Sequence, residues 1–283
     1  MINETKTPTK SLRSAFSEKY PKYTQILSVY EQINQCTAEW DNITKVNLVR
    51  FAAGLRGRLS QNTAKFYCAM LKSVLSLYND EVELPSDYAK ALSIKGETSV
   101  STWLNESDIE KLINYEPRTK NERTVRDQFV LGCLTGARYS DYTRFTETNI
   151  VGDKIVYVSQ KTKIKAEIPL SDAVERIIHS GSAIGELSMV TFNKTIRNIC
   201  KQCGINELTQ IFHKGEDMIG EKWEFISSHT ARKSFATNVY LRCRDIFLVS
   251  RYMGHSSVDM TATYILSIGD APDEVKKYFD MFK

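Results

Sequence analysis

Apolar residues recur at helical spacing through the first ninety or so positions of the chain. Tyr23, Ile26, Leu27, Tyr30 and Ile33 mark one face, Val46, Leu48, Val49 and Phe51 a second, and Tyr67, Met70, Leu71, Val74, Leu75 and Tyr78 a third. The last run predicts the longest helix of the region, opening near Asn62. Residues 93–101 (SIKGETSVS) lose the apolar period and carry Gly, Ser and Thr, so they are read as a linker. Helical signals resume behind Asn105, a candidate N-cap with Asp108 in the first turn ahead of Ile109, Leu112 and Ile113. A helix over Val125–Thr135 is predicted to stop at Gly136, which would present Arg138 at the start of the next element. The alternation in Lys154–Gln160 and in Ala166–Leu170 predicts a β-hairpin with Lys161, Lys163 and Lys165 between its strands. From Ala173 the period is helical again, including Phe192–Cys203, with a polar excursion over His213–Lys222. At the end, Val275, Phe279 and Phe282 share one side of a short amphipathic helix at about 273–283.

These elements predict a mainly α protein with a small β-hairpin or sheet, of the α+β class. The expected organisation is a disordered polar tail over 1–11, a helical domain over 12–92, the linker over 93–101 and a second domain over 102–283. A length of 283 residues suits two domains, and 42% hydrophobic with 25% charged residues suits ordinary globular cores. The net charge of +4 permits a polyanionic partner without demanding one. No stretch approaches the roughly 18 apolar residues of a membrane span, and MINETKTPTKSLRS has no apolar signal core, so a cytoplasmic protein is expected. Six scattered cysteines fit reduced thiols. Cys200 and Cys203 form the one tempting pair, but a structural zinc site needs four ligands and His213 alone does not complete it, so no metal is expected.

Candidate chemistry concentrates near the C-terminus, where His229 and Arg232 stand as H-x-x-R, followed by Gly254-His255 and then Tyr264. A phosphodiester resists attack because its charge repels nucleophiles. An enzyme must neutralise that charge, align an attacker and protonate the leaving oxygen. Arg232 offers a planar, permanently charged fork for two phosphate oxygens, and Arg138 offers a second. The histidines can exchange hydrogen bonds near neutral pH, and a phenol can become a covalent nucleophile. His179 and His213 lie outside this grouping and are read as structural.

The segments LTGARYSD (Leu134–Asp141), SSHTARKSFAT (Ser227–Thr237) and RYMGHSSVDMTATYI (Arg251–Ile265) together resemble the signature boxes of the tyrosine recombinases, the phage-integrase family of site-specific DNA recombinases. The likeness covers about Trp103 to Tyr264; before residue 100 it rests on helical pattern and position alone. It implies a SAM-like helical core-site-binding domain followed by an integrase-type catalytic domain. It also implies that Tyr264, singled out among fourteen tyrosines by standing nine residues after His255, attacks phosphorus to give a 3′-phosphotyrosyl link and a free 5′-hydroxyl. Arg138 and Arg232 would clamp the non-bridging oxygens. His229 would take or share the nucleophile's proton, and His255 would donate to a phosphate oxygen. Lys161, eight residues before Pro169, resembles the mobile lysine that protonates the 5′-oxygen, with Lys163 and Lys165 competing for that role. Asp141 would support the site, and the bond energy kept in the link would make a cofactor unnecessary. Lys233 departs from the frequent H-x-L-R-H pattern and would either add a phosphate contact or be solvated.

The same resemblance implies duplex DNA with inverted-repeat core sites as partner, two protomers per site, a tetrameric synapse, and a nucleoid location in the cytoplasm, with the C-terminal helix packing either on a neighbouring protomer or in cis on its own domain. Accessory DNA-bending proteins are further candidate partners. Arg50, Arg56, Arg58, Lys65 and Lys72 either contact phosphates or form a solvated basic face. Integration, excision, inversion and resolution all remain open outcomes. Two rival readings stand beside this one. A type IB topoisomerase-like enzyme would relax DNA as a monomer, and a regulator with a decayed site would bind DNA without cutting it.

Overall fold

The computed structural model describes residues 8–97, 100–213 and 215–265. The tail helix expected at about 273–283 and residues 1–7 of the expected tail lie outside this set. By internal contacts the chain divides into two units: one holds the chain up to Ser99 and the short piece Phe212–Glu216, the other holds Val100–Ile211 and the chain from Asp217 onward. Each has its own apolar core.

The first unit is helical, with α1 (Leu12–Lys19), α2 (Gln25–Asn34), α3 (Lys45–Arg56), α4 (Gln61–Leu77) and the single turn α5 (Tyr88–Ala91). Side-chain oxygens of Ser11, Thr44 and Ser60 accept the first free amides of α1, α3 and α4, so each helix start is set by its capping residue. Helix α4 therefore opens at Gln61, one residue ahead of the expected start. Phe16, Ile26, Leu27, Tyr30, Leu48, Phe51, Leu71 and Val74 interlock in the centre. Thr9 and Lys10, expected in a disordered tail, are instead tied down. The Thr9 hydroxyl donates to Glu81 at 2.8 Å, and the Lys10 carbonyl accepts the indole of Trp40 at 2.7 Å. The expected linker is likewise anchored at its start, where Ile94 is buried and the Lys95 carbonyl and Glu97 backbone bond to Gln61 and Asn62. One apolar residue and a few backbone bonds outweigh its Gly- and Ser-rich composition.

The second unit begins with α6 (Glu106–Ile113), α7 (Lys120–Thr135) and the short α8 (Tyr139–Tyr142). Asn105 caps α6 by accepting from the Asp108 amide at 2.9 Å. A three-stranded antiparallel sheet follows, in the order β1 (Ile150–Val151), β2 (Lys154–Val158) and β3 (Lys165–Pro169). In its register Ile155 faces Ile168 and Tyr157 faces Ala166, which puts the buried alternate residues on one side. Then come α9 (Asp172–Ser180), α10 (Met189–Gln202), a hairpin of β4 (Leu208–His213) and β5 (Glu216–Glu221), α11 (Ser228–Cys243), α12 (Ile246–Tyr252) and α13 (Val258–Ile265). The β4–β5 hairpin corrects the reading of His213–Lys222 as a polar excursion. Leu208 and Ile219 are exposed, and β5 buries almost nothing, so no alternation marked it in the sequence. Among the described residues no helix is long and apolar enough to cross a membrane.

Helices α7 and α11 form the central pair of this unit. Residues 230–237 of α11 are buried without a break, and they include Thr230, Ala231, Ser234, Ala236 and Thr237, small enough to let α7 approach closely. The Ser234 hydroxyl is satisfied internally, donating to the Thr230 carbonyl and accepting the Leu104 amide. Gly136 ends α7 with φ of 65°, and a β-carbon there would meet the Phe235 ring at 2.3 Å. Gly136→Ala is therefore expected to destabilise the protein by about 2 kcal/mol or more, from left-handed strain plus overpacking. A chemical-denaturation midpoint unchanged from the wild type would contradict this.

Candidate active site

The end of α7, the β2–β3 turn, the start of α11 and the α12–α13 region converge on one group of side chains. Arg232 lies one turn into α11 and is 1% exposed, which makes it the largest fully buried side chain of the protein. Its guanidinium donates to the Gly136 carbonyl, to the Met253 carbonyl at 2.7 Å and to His255 Nε2 at 2.6 Å. A guanidinium has no acceptor, so His255 must accept at Nε2 and carry its proton on Nδ1, which lies 2.7 Å from the Thr261 hydroxyl. Gly254 reaches this arrangement with φ of 59°, a backbone state that explains the glycine before His255.

Both ring nitrogens of His255 are thus engaged within the protein. Burial first, then the charges of Arg232, Arg138 and His229, lower its pKa to about 3. It stays neutral because a second cation beside a guanidinium would be repelled. Since the unfolded ring takes up its proton near pH 6.5, the contribution to stability is complete above that value and declines as pH falls from about 6.5 towards 3.

Tyr264, on α13, sits between the two histidines. Its hydroxyl is 3.1 Å from His229 Nε2, and its ring stacks on His255 with centroids 5.6 Å apart. His229, second residue of α11, reaches solvent, yet crowding by protein and then the charges of Arg232, Arg138, Lys233 and Lys161 lower its pKa. Because the ring is exposed, the charges are the sturdier cause. A neutral imidazole beside a phenol can accept the phenolic proton.

Arg138 caps the start of α8 and donates to the Ser159 hydroxyl at 2.9 Å. That hydroxyl donates in turn to Asp141 at 3.1 Å, and the other Asp141 oxygen accepts the Gln160 amide at 3.0 Å. Asp141 is buried and holds the turn that carries Lys161. Lys161 is exposed at that turn and its charge is felt by His229. Lys163, with φ of 58°, is exposed on the same turn. Lys165 is not between the strands but opens β3, where it pairs with Glu167 at 2.8 Å.

Lys233 corrects an expectation. It neither meets solvent nor stands free for phosphate: it is buried, its ammonium donates to the Ser101 carbonyl and hydroxyl, and burial lowers its pKa to about 8. Arg50, Arg56, Arg58 and Lys65 are exposed and Lys72 half-buried, all in the first unit and none in an ion pair among the described residues. His179 bridges Glu147 and Glu175 at the surface. Among the described residues no group of three or more His, Cys, Asp or Glu is placed to hold a metal ion. Ser159 and Thr261 were missed in the sequence, because serine and threonine are common and only tertiary placement sets these apart.

Comparison with known proteins decides the family. The model of the phage integrase family matches residues 102–268. The chain belongs to the phage integrase family. The integrase of Escherichia phage P2 is 25% identical over 136 residues, covering 47% of this chain. The match covers 35% of that relative, so the chain spans about a third of its length. The fold is similar to that of lambda integrase in a structure of its dimer bound to a COC' core site, with a TM-score of 0.67 at 15% identity over 93% of this chain and 98% of that one. The XerH site-specific recombinase bound to palindromic difH substrate, a post-cleavage complex, gives 0.64 at 17% identity over 95% and 79%.

Proposed function

We propose that the chain is a site-specific tyrosine recombinase that cuts and rejoins duplex DNA through a 3′-phosphotyrosyl intermediate. What supports this most is the 3.1 Å approach of the Tyr264 hydroxyl to His229 beside the buried Arg232. The scissile phosphate takes its place between Arg138 and Arg232, whose charge gains value as the non-bridging oxygens become more negative in the transition state. Tyr264 Oη attacks phosphorus while its proton passes to His229. The bond from phosphorus to the 5′-oxygen breaks as Lys161 protonates the leaving oxygen. Attack by a 5′-hydroxyl reverses each transfer and reseals a strand. His255 aligns Arg232 rather than touching phosphate, and Asp141 holds Arg138 and the Lys161 turn together.

The reading extends to assembly: two protomers on an inverted-repeat core site and four in the synapse, cutting in pairs. Arg50, Arg56, Arg58, Lys65 and Lys72 on the first unit are the proposed backbone contacts, joined by Lys163 next to the site. The polar set is complete, which favours an active enzyme over a decayed regulator.

The test uses a core-site duplex recovered from a random-sequence library by binding to the full chain. Wild-type protein is expected to leave a denaturant-resistant adduct on the peptide carrying Tyr264, with a free 5′-hydroxyl on the opposite side of the break. An adduct on another residue, or a 5′-linked one, would overturn the reading. Because His229 is held below its usual pKa and must be neutral to accept a proton, the acid limb of the cleavage rate is expected to fall below about pH 6.5. A limb centred at or above that value would remove His229 from the proton's path.

A further inference from the structure

Strand β2 turns alternate side chains inward, first Ile155, then Tyr157, then Ser159 just past its end. Ile155 is ordinary core. The other two end in hydroxyl groups, and that of Ser159 meets a guanidinium of the site. Ser159, 1% exposed, accepts from Arg138 at 2.9 Å and donates its own hydrogen bond to Asp141 at 3.1 Å. Tyr157, 6% exposed, has an enclosed hydroxyl with no hydrogen-bond partner among the described residues.

The choice of group under this cation has a chemical consequence. A carboxylate in direct contact would align a guanidinium strongly but would cancel much of the charge needed to stabilise phosphate. A hydroxyl aligns it and leaves that charge available. The one carboxylate nearby, Asp141, reaches Arg138 through the Ser159 hydroxyl. Ser159 also closes the lysine turn: its amide donates to the Ile164 carbonyl at 3.0 Å, and its carbonyl accepts from Lys163 at 2.8 Å. Ser159 thereby serves Arg138 and the base of the Lys161 turn.

We propose that Ser159 is a positioning residue that holds Arg138 on the scissile phosphate with its charge uncancelled and also fixes the Lys161 turn. This rests on the recombinase reading and assigns a support of its phosphate clamp. The test measures single-turnover cleavage by the full chain on the recovered core-site duplex, carrying a nick that traps the covalent product. A matched duplex bears a methylphosphonate at the scissile position, where a neutral methyl replaces one charged oxygen and leaves little for the arginines to neutralise.

Ser159→Ala is expected to slow cleavage of the ordinary duplex by about tenfold to a hundredfold, by analogy with the hydrogen-bonding partners that orient metal ligands. On the methylphosphonate the gap from wild type should shrink to about threefold or less, since the charge interaction being aligned is gone. Ser159→Thr, which keeps the hydroxyl, should recover most of the rate. A Ser159→Ala variant within about threefold of wild type on the ordinary duplex, or equally slow on both duplexes, would overturn the proposal, the second result marking general damage instead of a misaligned charge. A wild-type chain that leaves no covalent product would overturn the recombinase reading itself, and this proposal with it.

Discussion

Tyr264→Phe is expected to lower covalent capture of the core-site duplex by at least about a thousandfold while changing site affinity by less than about tenfold. The asymmetry follows from what the substitution removes. The phenyl ring remains stacked on His255 and packed near His229, so the surroundings of the site are retained. Only the hydroxyl is lost, together with its 3.1 Å contact to His229 and its influence on Arg232. One neutral hydrogen bond is worth about 1 kcal/mol, too little to release DNA held by many phosphate contacts. Gel separation after denaturation reads the adduct, and binding under native conditions reads affinity. Persisting adduct would assign the nucleophile to another residue, with Tyr252, twelve positions earlier, the first to examine.

The parts of the site that sequence revealed are those whose chemistry is rare. Two arginines, two histidines and a tyrosine stand in segments that resemble the family's signature boxes, so Arg138, Arg232, His229, His255 and Tyr264 could be named from that resemblance before any fold was known. Their places in the structure form one group. Helices whose faces are buried on one side were equally legible, as was the stop at Gly136, where the left-handed backbone accounts for the residue. What sequence hid was of two kinds. The β4–β5 hairpin buries too little to impose an alternating pattern. The supporting residues act through common groups: a serine hydroxyl between Arg138 and Asp141, and a threonine holding the His255 tautomer. Lys233 went astray for a related reason. Residue type gives the donors a side chain owns, whereas burial and neighbours decide where they are spent.

Arg232→Lys is the substitution in which fold and chemistry should fail together. Lysine keeps a positive charge, yet it offers a point charge in place of a planar fork, and an Arg-to-Lys change at such a site is not conservative. Three acceptors now depend on the guanidinium: the Gly136 and Met253 carbonyls and His255 Nε2. A single ammonium cannot serve all three along the same directions, and each buried carbonyl left without a donor costs about 1–3 kcal/mol. The carbonyls tie α11 to the end of α7 and to the loop after α12, so loosening them shifts Arg138 and Tyr264 as well as residue 232. Lysine is also more readily discharged by burial than arginine, and Arg138 close by adds to that tendency. Cleavage is therefore expected to fall by about a hundredfold to a thousandfold, the cost of losing one group that stabilises developing charge, and stability by about 2 kcal/mol. The His255 ring supplies an independent check by its NMR titration. With the guanidinium gone, its pKa should climb from about 3 towards the ordinary histidine range, stopping short of it because burial remains the larger cause. A variant that cleaves within about tenfold of wild type would take Arg232 out of the phosphate clamp, and an unmoved His255 would show that burial alone keeps that ring neutral.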